Sequence, residues 1–316
     1  MTDLVQILWT PAGVSMSSNE TRQLVDITDG DTPNIRMPVR MLSVDTPEVT
    51  ARSADGAHKV DEKFAQLAEW IAQGKAPISG SLGEYFRPKL ATRQAGSLQF
   101  TQGSAASAFA KQNAERRLTK PGGGKRNLFV RMDKANAFDD NGRLLAYVAP
   151  NYTAKERETL SLEERSTFNL DMVRSGWAAT FIIYPAIPGE LDLPLLVEAA
   201  ESARAAGDGI WSDPHTLLAY EYRSLERLFQ ITEKIVKGEA VSAAERFSWR
   251  ERYCVDMRSR VVHGPEDYLD IPAGYRLWLW PRDVQAAVAS LNLVPATRLV
   301  NGSADQRSVT RASAIS

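Results

Sequence analysis

PVRMLSVDTPE, residues 38–48, is the stretch that constrains the fold most. Its run of apolar residues up to Val44 is typical of a β-strand, and the strand ends before Pro47 because proline has no N–H for the ladder. Arg40 and Val44 are an even number of residues apart, which predicts that both side chains share one face. A guanidinium on an apolar interior face is costly unless an anion meets it. The stretch therefore predicts a strand that carries an anion-binding arginine.

The residues just before this stretch predict a hairpin. Within 21–48 two strand-like runs flank Asp29-Gly30, a pair that favours a type I′ turn because both central residues need a positive φ. The second of these runs is 38–44. Two strands joined by a tight turn are therefore expected at this end of the chain.

Residues 49–103 have the character of an insertion. Val60, Phe64, Leu67 and Ile71 recur at the spacing of one apolar helix face. Prolines and glycines interrupt the rest of the segment, and a second helix is predicted over 104–118. The downstream elements are predicted as a hairpin (128–132 with 143–148), a helix closed by Gly176, a strand (177–184) and a helix (193–206).

Beyond residue 213 the character of the sequence changes. Helices are predicted over 216–237, 241–260 and 284–291, and the alternating GYRLWLWP predicts one short strand. The predicted organisation is therefore a domain over 1–213 with an insertion at about 49–103, a mainly helical C-terminal module over 214–296, and a flexible tail over 297–316. An isolated amphipathic helix does not stay exposed at low cost, so we expect the insertion helix to dock on the C-terminal module or on its counterpart in a second subunit.

The composition limits the classes of function. The formal net charge is −1, so nucleic acid would have to be held by a few placed cations and not by a strongly basic surface. One cysteine excludes an intramolecular disulfide, and three widely separated histidines form no metal-binding motif. The chain has no stretch long and apolar enough to span a membrane and no signal-peptide pattern, which predicts a cytoplasmic protein.

Five side chains match the needs of phosphodiester hydrolysis, which are oxygen ligands for a divalent cation, a carboxylate near the attacking water and arginine donors on the phosphate. Each of their motifs alone is usually only a turn or a strand end. Their joint occurrence in order is what indicates a site. The five are Asp31, Arg40, Asp45, Glu48 and Arg143.

Six segments together resemble the staphylococcal-nuclease-like, or thermonuclease, family over roughly residues 21–213. They are DGDT (29–32), VRMLSVDTPE (39–48), ASAFAKQ (106–112), DDNGRLLAYV (139–148), NLDMVRSGWA (169–178) and GIWSD (209–213). The resemblance implies an α+β fold, with an OB-fold barrel of five strands and three helices.

The resemblance also implies roles for particular residues. Asp31, Asp45 and the backbone carbonyl of Thr46 would hold Ca²⁺, and Glu48 would act as general base or orient the attacking water. Arg40 and Arg143 would grip the scissile phosphate.

Two departures from the family pattern concern the binding of the nucleotide. The family usually has Lys-Tyr before the Gly-Arg pair, where this chain has Asp140-Asn141. Of two tyrosines expected downstream only Tyr184 is matched, and Ile182 stands in the place of the first. Asn141 and Tyr184 are therefore the candidates for substrate binding.

The expected function is that of a Ca²⁺-dependent nuclease, with single-stranded DNA or RNA favoured and 3′-phosphate and 5′-hydroxyl ends as products. The alternative is a barrel of the same family that binds nucleic acid or a protein without cutting. In a third possibility the C-terminal module has the main role, as an interface for homo-oligomers or a complex.

Overall fold

The structure, a computed structural model, describes residues 22–49, 51–132 and 137–297. The chain divides into two compact units. Among the described residues, the small unit comprises 22–40, 132 and 137–146, and the large unit comprises 41–49, 51–131 and 147–297.

Strands and helices follow one another through the described residues. The strands are β1 (Leu24–Ile27), β2 (Pro33–Ile35), β3 (Val39–Met41), β4 (Ser43–Asp45), β5 (Leu128–Met132), β6 (Leu144–Pro150), β7 (Ala179–Ile183), β8 (Tyr253–Asp256), β9 (Val261–His263), β10 (Arg276–Leu279) and β11 (Val294–Pro295). The helices are α1 (Ala54–Ala72), α2 (Gly80–Ala91), α3 (Ala95–Leu118), α4 (Ala154–Thr159), α5 (Phe168–Arg174), α6 (Asp192–Ala206), α7 (Ala219–Val236), α8 (Ala243–Arg246) and α9 (Val284–Leu291).

The predicted hairpin around Asp29-Gly30 is present in the small unit, where β1 and β2 pair antiparallel with Leu24 opposite Ile35. Two details of the prediction are wrong. The second strand is β2 and not the run 38–44, and Gly30 does not have the positive φ that a type I′ turn requires. The turn is instead closed by hydrogen bonds between Thr32 and the backbone of Thr28 and Asp29.

The predicted single strand from Pro38 to Val44 is divided in two. Ser43 has a φ of 63°, a left-handed conformation that breaks the alternation of an extended strand. β3 lies in a three-stranded sheet of order β3-β6-β5, and β4 lies in a different sheet. The inference that Arg40 and Val44 share one strand face is therefore wrong, because the strand does not continue between them.

The insertion is mainly helical, and its third helix continues past residue 103, where the sequence pattern placed the end of the insertion. α2 contains Pro88, and α3 begins at Ala95, well before the predicted start at residue 104. Glycines that read as helix breakers mark close contacts between helices instead. A methyl group on Gly96 would lie 2.6 Å from the carbonyl oxygen of Ala57 in α1, so only glycine allows this approach.

The expected docking of the insertion helix on the C-terminal segment is confirmed. Phe64 of α1 is buried, and its ring meets that of Tyr222 of α7 edge-on with 5.3 Å between centroids. About two turns further along both helices, Trp70 stacks on Phe229 with 5.3 Å between centroids. The apolar stripe of α1 therefore covers α7 of the same chain.

The main sheet of the large unit has six strands in the order β11-β9-β8-β10-β7-β4. The prediction of a helix over 241–260 is wrong, because α8 is only four residues long and β8 follows it. The strand predicted in GYRLWLWP is confirmed as β10, which pairs parallel with β7 and antiparallel with β8. Strands from both sides of residue 213 thus lie in one sheet, and the domain boundary there stays a prediction.

The α+β class is confirmed, while the closed barrel of five strands stays a prediction. Two apolar clusters flank the main sheet, one formed with α1, α2 and α7 and the other with α5, α6 and α9. No helix among the described residues is long and apolar enough to cross a membrane. The predicted tail lies outside the described residues from position 298 onward.

Candidate active site

The VDTPE motif leaves the main sheet at the end of β4. β4 pairs antiparallel with β7, with Asp45 opposite Ala179. The side chain of Asp45 is fully buried, whereas Glu48 keeps 23 % of its side chain exposed and Thr46 is half-buried between them. Pro47 ends the ladder, as the sequence predicts, and the chain turns so that both carboxylates lie on one side.

α3 fixes the position of this loop. The buried Gln99 accepts a hydrogen bond from the backbone N–H of Glu48 at 3.0 Å and donates through its amide nitrogen to the carbonyl of Leu217. One turn further, Gly103 lies directly under the loop, and a methyl group there would be 2.8 Å from the carbonyl oxygen of Pro47. The residue types of α3 therefore determine how closely the loop approaches the helix.

Arg223 of α7 holds both carboxylates of the motif. Its Nη2 donates to Asp45 Oδ2 at 2.7 Å, and its Nη1 donates to Asp45 Oδ1 at 3.2 Å and to Glu48 Oε1 at 2.6 Å. Such forked contacts match the planar geometry of a guanidinium and are among the strongest hydrogen bonds in proteins. Two negative charges thus share one positive partner.

The surroundings of Arg223 are aromatic and charged. Its guanidinium lies over the ring of Phe181 at 5.8 Å, and Arg252 lies over the same ring at 5.1 Å and over Trp280 at 5.0 Å. Burial alone would lower the pKa of Arg223, but the charges of Asp45 and the hydrogen bonds to it hold the pKa above its ordinary value. The pKa of Arg252 is lowered by its burial, with Arg223 adding to the effect.

Glu226 is a third carboxyl group near the pair. It lies one turn beyond Arg223 on α7 and is half-buried. Burial raises its pKa, and the negative charge of Glu48 raises it further. The excess of carboxyl groups here is the reason why a cation is favourable at this position.

The oxygen donors of this site are of the kind that bind calcium ions. In this structure, however, the carboxylate oxygens accept hydrogen bonds from Arg223. Carboxylate and carbonyl oxygens are the ligands that Ca²⁺ prefers, and it takes six to eight of them. Both oxygens of the buried Asp45 accept hydrogen bonds from Arg223. Among the described residues no group of three or more acidic, histidine or cysteine side chains is placed to hold a metal ion.

The three other predicted residues of the site lie in the small unit. Asp31 is exposed in the turn between β1 and β2 and accepts a hydrogen bond from Thr32. Arg40 is half-buried in β3. Arg143 is paired through Nε and Nη2 with Asp139, at 2.8 and 2.7 Å.

The Arg143 pair shifts the titration of its partner. Burial raises the pKa of Asp139, and the hydrogen bonds from Arg143 outweigh that effect, so the pKa lies below its ordinary value. The same carboxylate accepts from the backbone N–H of Asn141, the first candidate for substrate binding. The second, Tyr184, lies in the large unit, where its hydroxyl is 3.1 Å from the hydroxyl of Ser290 in α9. Their roles in binding stay predictions.

Other parts of the six motifs have structural roles. Asn169 is buried, donates to the carbonyl of Leu42 at 2.9 Å and accepts from the N–H of Val148 at 3.1 Å. Gly176 and Gly209 both have positive φ, and their backbones cross so closely that a methyl group on either would clash. Asn169 thus joins α5 to β6 and to the residue before β4, and the glycine contact joins the chain after α5 to the segment at Gly209.

Sequence reasoning missed Arg223, Arg252 and Gln99. Arg223 lies in AYEYRSLERL, where alternating charges at helical spacing indicate only a solvated helix face. Gln99 lies in a segment that the sequence indicated to be broken by glycines. Only the position of α3 and α7 against the VDTPE loop shows what these residues contact.

Comparison with known proteins confirms the resemblance for part of the chain. The family model described as staphylococcal nuclease homologue matches residues 88–213, so this segment carries the features of that family. The match indicates a nuclease or nucleic-acid-binding function. It includes Asn141, Arg143 and Tyr184, and it begins after the VDTPE motif. No curated protein matches the chain.

Proposed function

We propose that this protein is a nuclease that hydrolyses phosphodiester bonds of DNA or RNA, leaving 3′-phosphate and 5′-hydroxyl ends. One observation carries the proposal. Asp45 and Glu48 converge on a single cationic nitrogen, Arg223 Nη1, at 3.2 and 2.6 Å. Carboxylates that converge on a cation are what a metal-assisted phosphodiesterase needs. The family match on 88–213 supports the same class of reaction.

In the proposed reaction each residue has a defined task. Asp31, Asp45 and the carbonyl of Thr46 would hold Ca²⁺, and the ion would supply positive charge that neutralises the phosphate. Glu48 is the more exposed carboxylate of the pair, and it orients the attacking water or takes its proton.

Two arginines act on the phosphate. Arg40 and Arg143 bind its oxygens and stabilise the charge that develops there. Arg143 is already paired with the carboxylate of Asp139, so a substrate phosphate has to compete with that partner. This competition favours substrates in which the phosphate also contacts groups of the site other than Arg143.

A digestion assay tests the proposal. Single- and double-stranded DNA and RNA are incubated with the full chain in Ca²⁺ or in excess EDTA, and the product ends are identified. We expect cleavage in Ca²⁺, loss of cleavage in EDTA, and loss of cleavage in Glu48→Gln. Glu62→Gln removes a carboxylate from the exposed face of α1 and serves as the matched control. Unchanged cleavage in EDTA refutes the metal requirement, and unchanged cleavage by Glu48→Gln refutes its role.

The two arginines of the small unit are tested in the same way. Arg40→Ala and Arg143→Ala should each lower the turnover rate by roughly 10²–10³-fold, the loss typical of a preorganised donor. Arg36→Ala, which removes an exposed arginine of the same unit, should leave the rate unchanged. If neither change exceeds about tenfold, other cations bind the phosphate.

A second candidate function is nucleic-acid binding without cleavage. The observation that favours it is that Arg223 engages both oxygens of Asp45 as well as Glu48. Fluorescence anisotropy with labelled single-stranded DNA and RNA in EDTA measures binding by itself. Binding in EDTA, together with no cleavage of any substrate in Ca²⁺, would establish this second function.

Location and assembly are further proposals. We propose that the protein acts in the cytoplasm, which cell fractionation tests. We also propose a homo-oligomer formed through residues 214–296, for which light scattering of the purified chain gives the mass. A monomeric mass at all concentrations would refute the oligomer.

A further inference from the structure

We propose that Arg223 is a gate for the site: its guanidinium occupies the cation position between Asp45 and Glu48, and it must leave before Asp45 can bind a divalent metal ion. The inference rests on the proposed function and adds to it a control over metal binding. The gate comes from α7, outside the segment that matches the family.

The geometry of the contact makes simultaneous binding of a metal ion unfavourable. Both oxygens of Asp45 accept from the guanidinium, and Glu48 Oε1 accepts from the same Nη1. The Asp45 side chain is 0 % exposed, so it presents no oxygen to solvent through which an ion could bind beside the arginine. A metal ion and the guanidinium therefore compete for the same oxygens.

The position of Arg223 allows it to open without unfolding the helix. Its side chain remains 35 % exposed, so one side of it faces water. Glu226 lies three residues further along α7, where a helical neighbour is within reach of a rotated side chain. It is half-buried and close enough to Glu48 for the two charges to repel. A rotated Arg223 would thus find a second carboxylate on its own helix.

A closed gate weakens metal binding by a calculable factor. The observed dissociation constant equals the intrinsic one divided by the fraction of molecules in the open state. If 1–10 % of molecules are open, a range typical of a minor conformer, binding is weakened by about 10–100-fold. Removal of the guanidinium should therefore tighten metal binding by the same factor.

Calorimetric titration of Ca²⁺ into the full chain tests the gate. We expect Arg223→Ala to bind Ca²⁺ about 10–100-fold more tightly than the unchanged chain. Arg227→Ala removes an exposed arginine one turn along α7 that donates a hydrogen bond to Ser248 at 3.4 Å, so it makes the same change of net charge without removing a contact to Asp45 or Glu48. Its affinity should equal that of the unchanged chain.

A second variant covers the case in which Arg223→Ala does not fold. Arg223→Lys keeps the charge but lacks the planar fork that engages both oxygens, and it should tighten Ca²⁺ binding by a smaller factor, about threefold to tenfold. Equal affinity in the unchanged chain and in the folded variants would overturn the gate. So would equal tightening in Arg227→Ala, because the effect would then be one of net charge.

The result separates the gate from the proposed function. Tighter Ca²⁺ binding by Arg223→Ala, with no cleavage of any nucleic acid by the unchanged chain or by the variant, would support the gate and refute the nuclease. Cleavage by the unchanged chain, with no difference in Ca²⁺ affinity between it and Arg223→Ala, would support the nuclease and overturn the gate.

Discussion

The contact between Gly103 and the VDTPE loop allows a precise test of how α3 positions the site. We predict that Gly103→Ala displaces the loop and lowers nuclease activity. The added methyl group would lie 2.8 Å from the carbonyl oxygen of Pro47, 2.8 Å from Cγ1 of Val49 and 3.2 Å from the carbonyl oxygen of Glu48. Two of the three atoms are backbone, so the loop has to move.

The expected change in stability follows from two opposing effects. Alanine gains up to about 1 kcal/mol over glycine in the interior of a helix. Overpacking of a tight contact costs about 1–3 kcal/mol. The net free energy of unfolding should therefore fall by about 0–2 kcal/mol. The activity should fall more than the stability suggests, about tenfold or more, because displacement of a catalytic group by a fraction of an ångström is costly.

Two other glycines serve as controls. Gly96→Ala should destabilise the fold by a similar amount through its contact with α1, but it lies away from the VDTPE loop and should leave the activity of the folded protein unchanged. Gly80→Ala meets nothing within 4 Å and should be neutral or stabilising. Urea unfolding gives the stabilities, and the digestion assay gives the rates. Equal activity of Gly103→Ala and Gly96→Ala would refute the positioning role of α3.

Three further predictions concern the rest of the chain. Burial raises the pKa of the Cys254 thiol to about 12, so a thiol reagent at pH 8 should label it only after unfolding. Rapid labelling of the folded chain would contradict the position of Cys254 in the core. Arg117→Ala should lower the free energy of unfolding in urea by about 1–3 kcal/mol, because the nearly buried Asp171 loses its close ion pair and keeps only Arg174 at 4.0 Å and the hydrogen bonds from Asn113 and Ser166. A loss under about 1 kcal/mol would show that these remaining partners or water replace Arg117. The hydrogen bond from Arg126 lowers the pKa of Glu156 from its ordinary 4.5 to about 2. The stability that this pair contributes is therefore present above pH 4.5 and is lost as the pH falls towards 2. A carboxyl titration by NMR should show a midpoint of about 2, and a midpoint near 4.5 would contradict the pair.

Local patterns in the sequence predicted most of the secondary structure. The apolar stripe of α1 was predictable from the sequence because its spacing depends only on the geometry of one helix. Its contact with the C-terminal segment followed from the cost of leaving an apolar face exposed. The break at Ser43 was not readable, since a serine with positive φ is held there by packing and not by its own preference. The prediction that glycines interrupt the segment of α3 was wrong for a related reason. Close contacts between helices and helix ends both favour glycine.

The candidate site was predictable only in part. The acidic pair follows from VDTPE because the proline forces the chain out of the strand at a fixed point. The cation that pairs with Asp45 comes from a residue 178 positions further along the chain. No local pattern predicts such a contact. An arginine that faces solvent and an arginine that pairs with two carboxylates can lie in the same kind of helical sequence.

The order of the main sheet has a consequence for synthesis of the protein on the ribosome. β7 lies between β4, which is made before it, and β10, which is made about ninety residues later. At roughly 5–20 residues per second, β7 has one unpaired edge for about 5–20 s after it leaves the ribosome. During that time the edge can pair with another nascent chain. Crowded polysomes should therefore produce aggregates of this protein unless a chaperone covers the edge until β10 arrives.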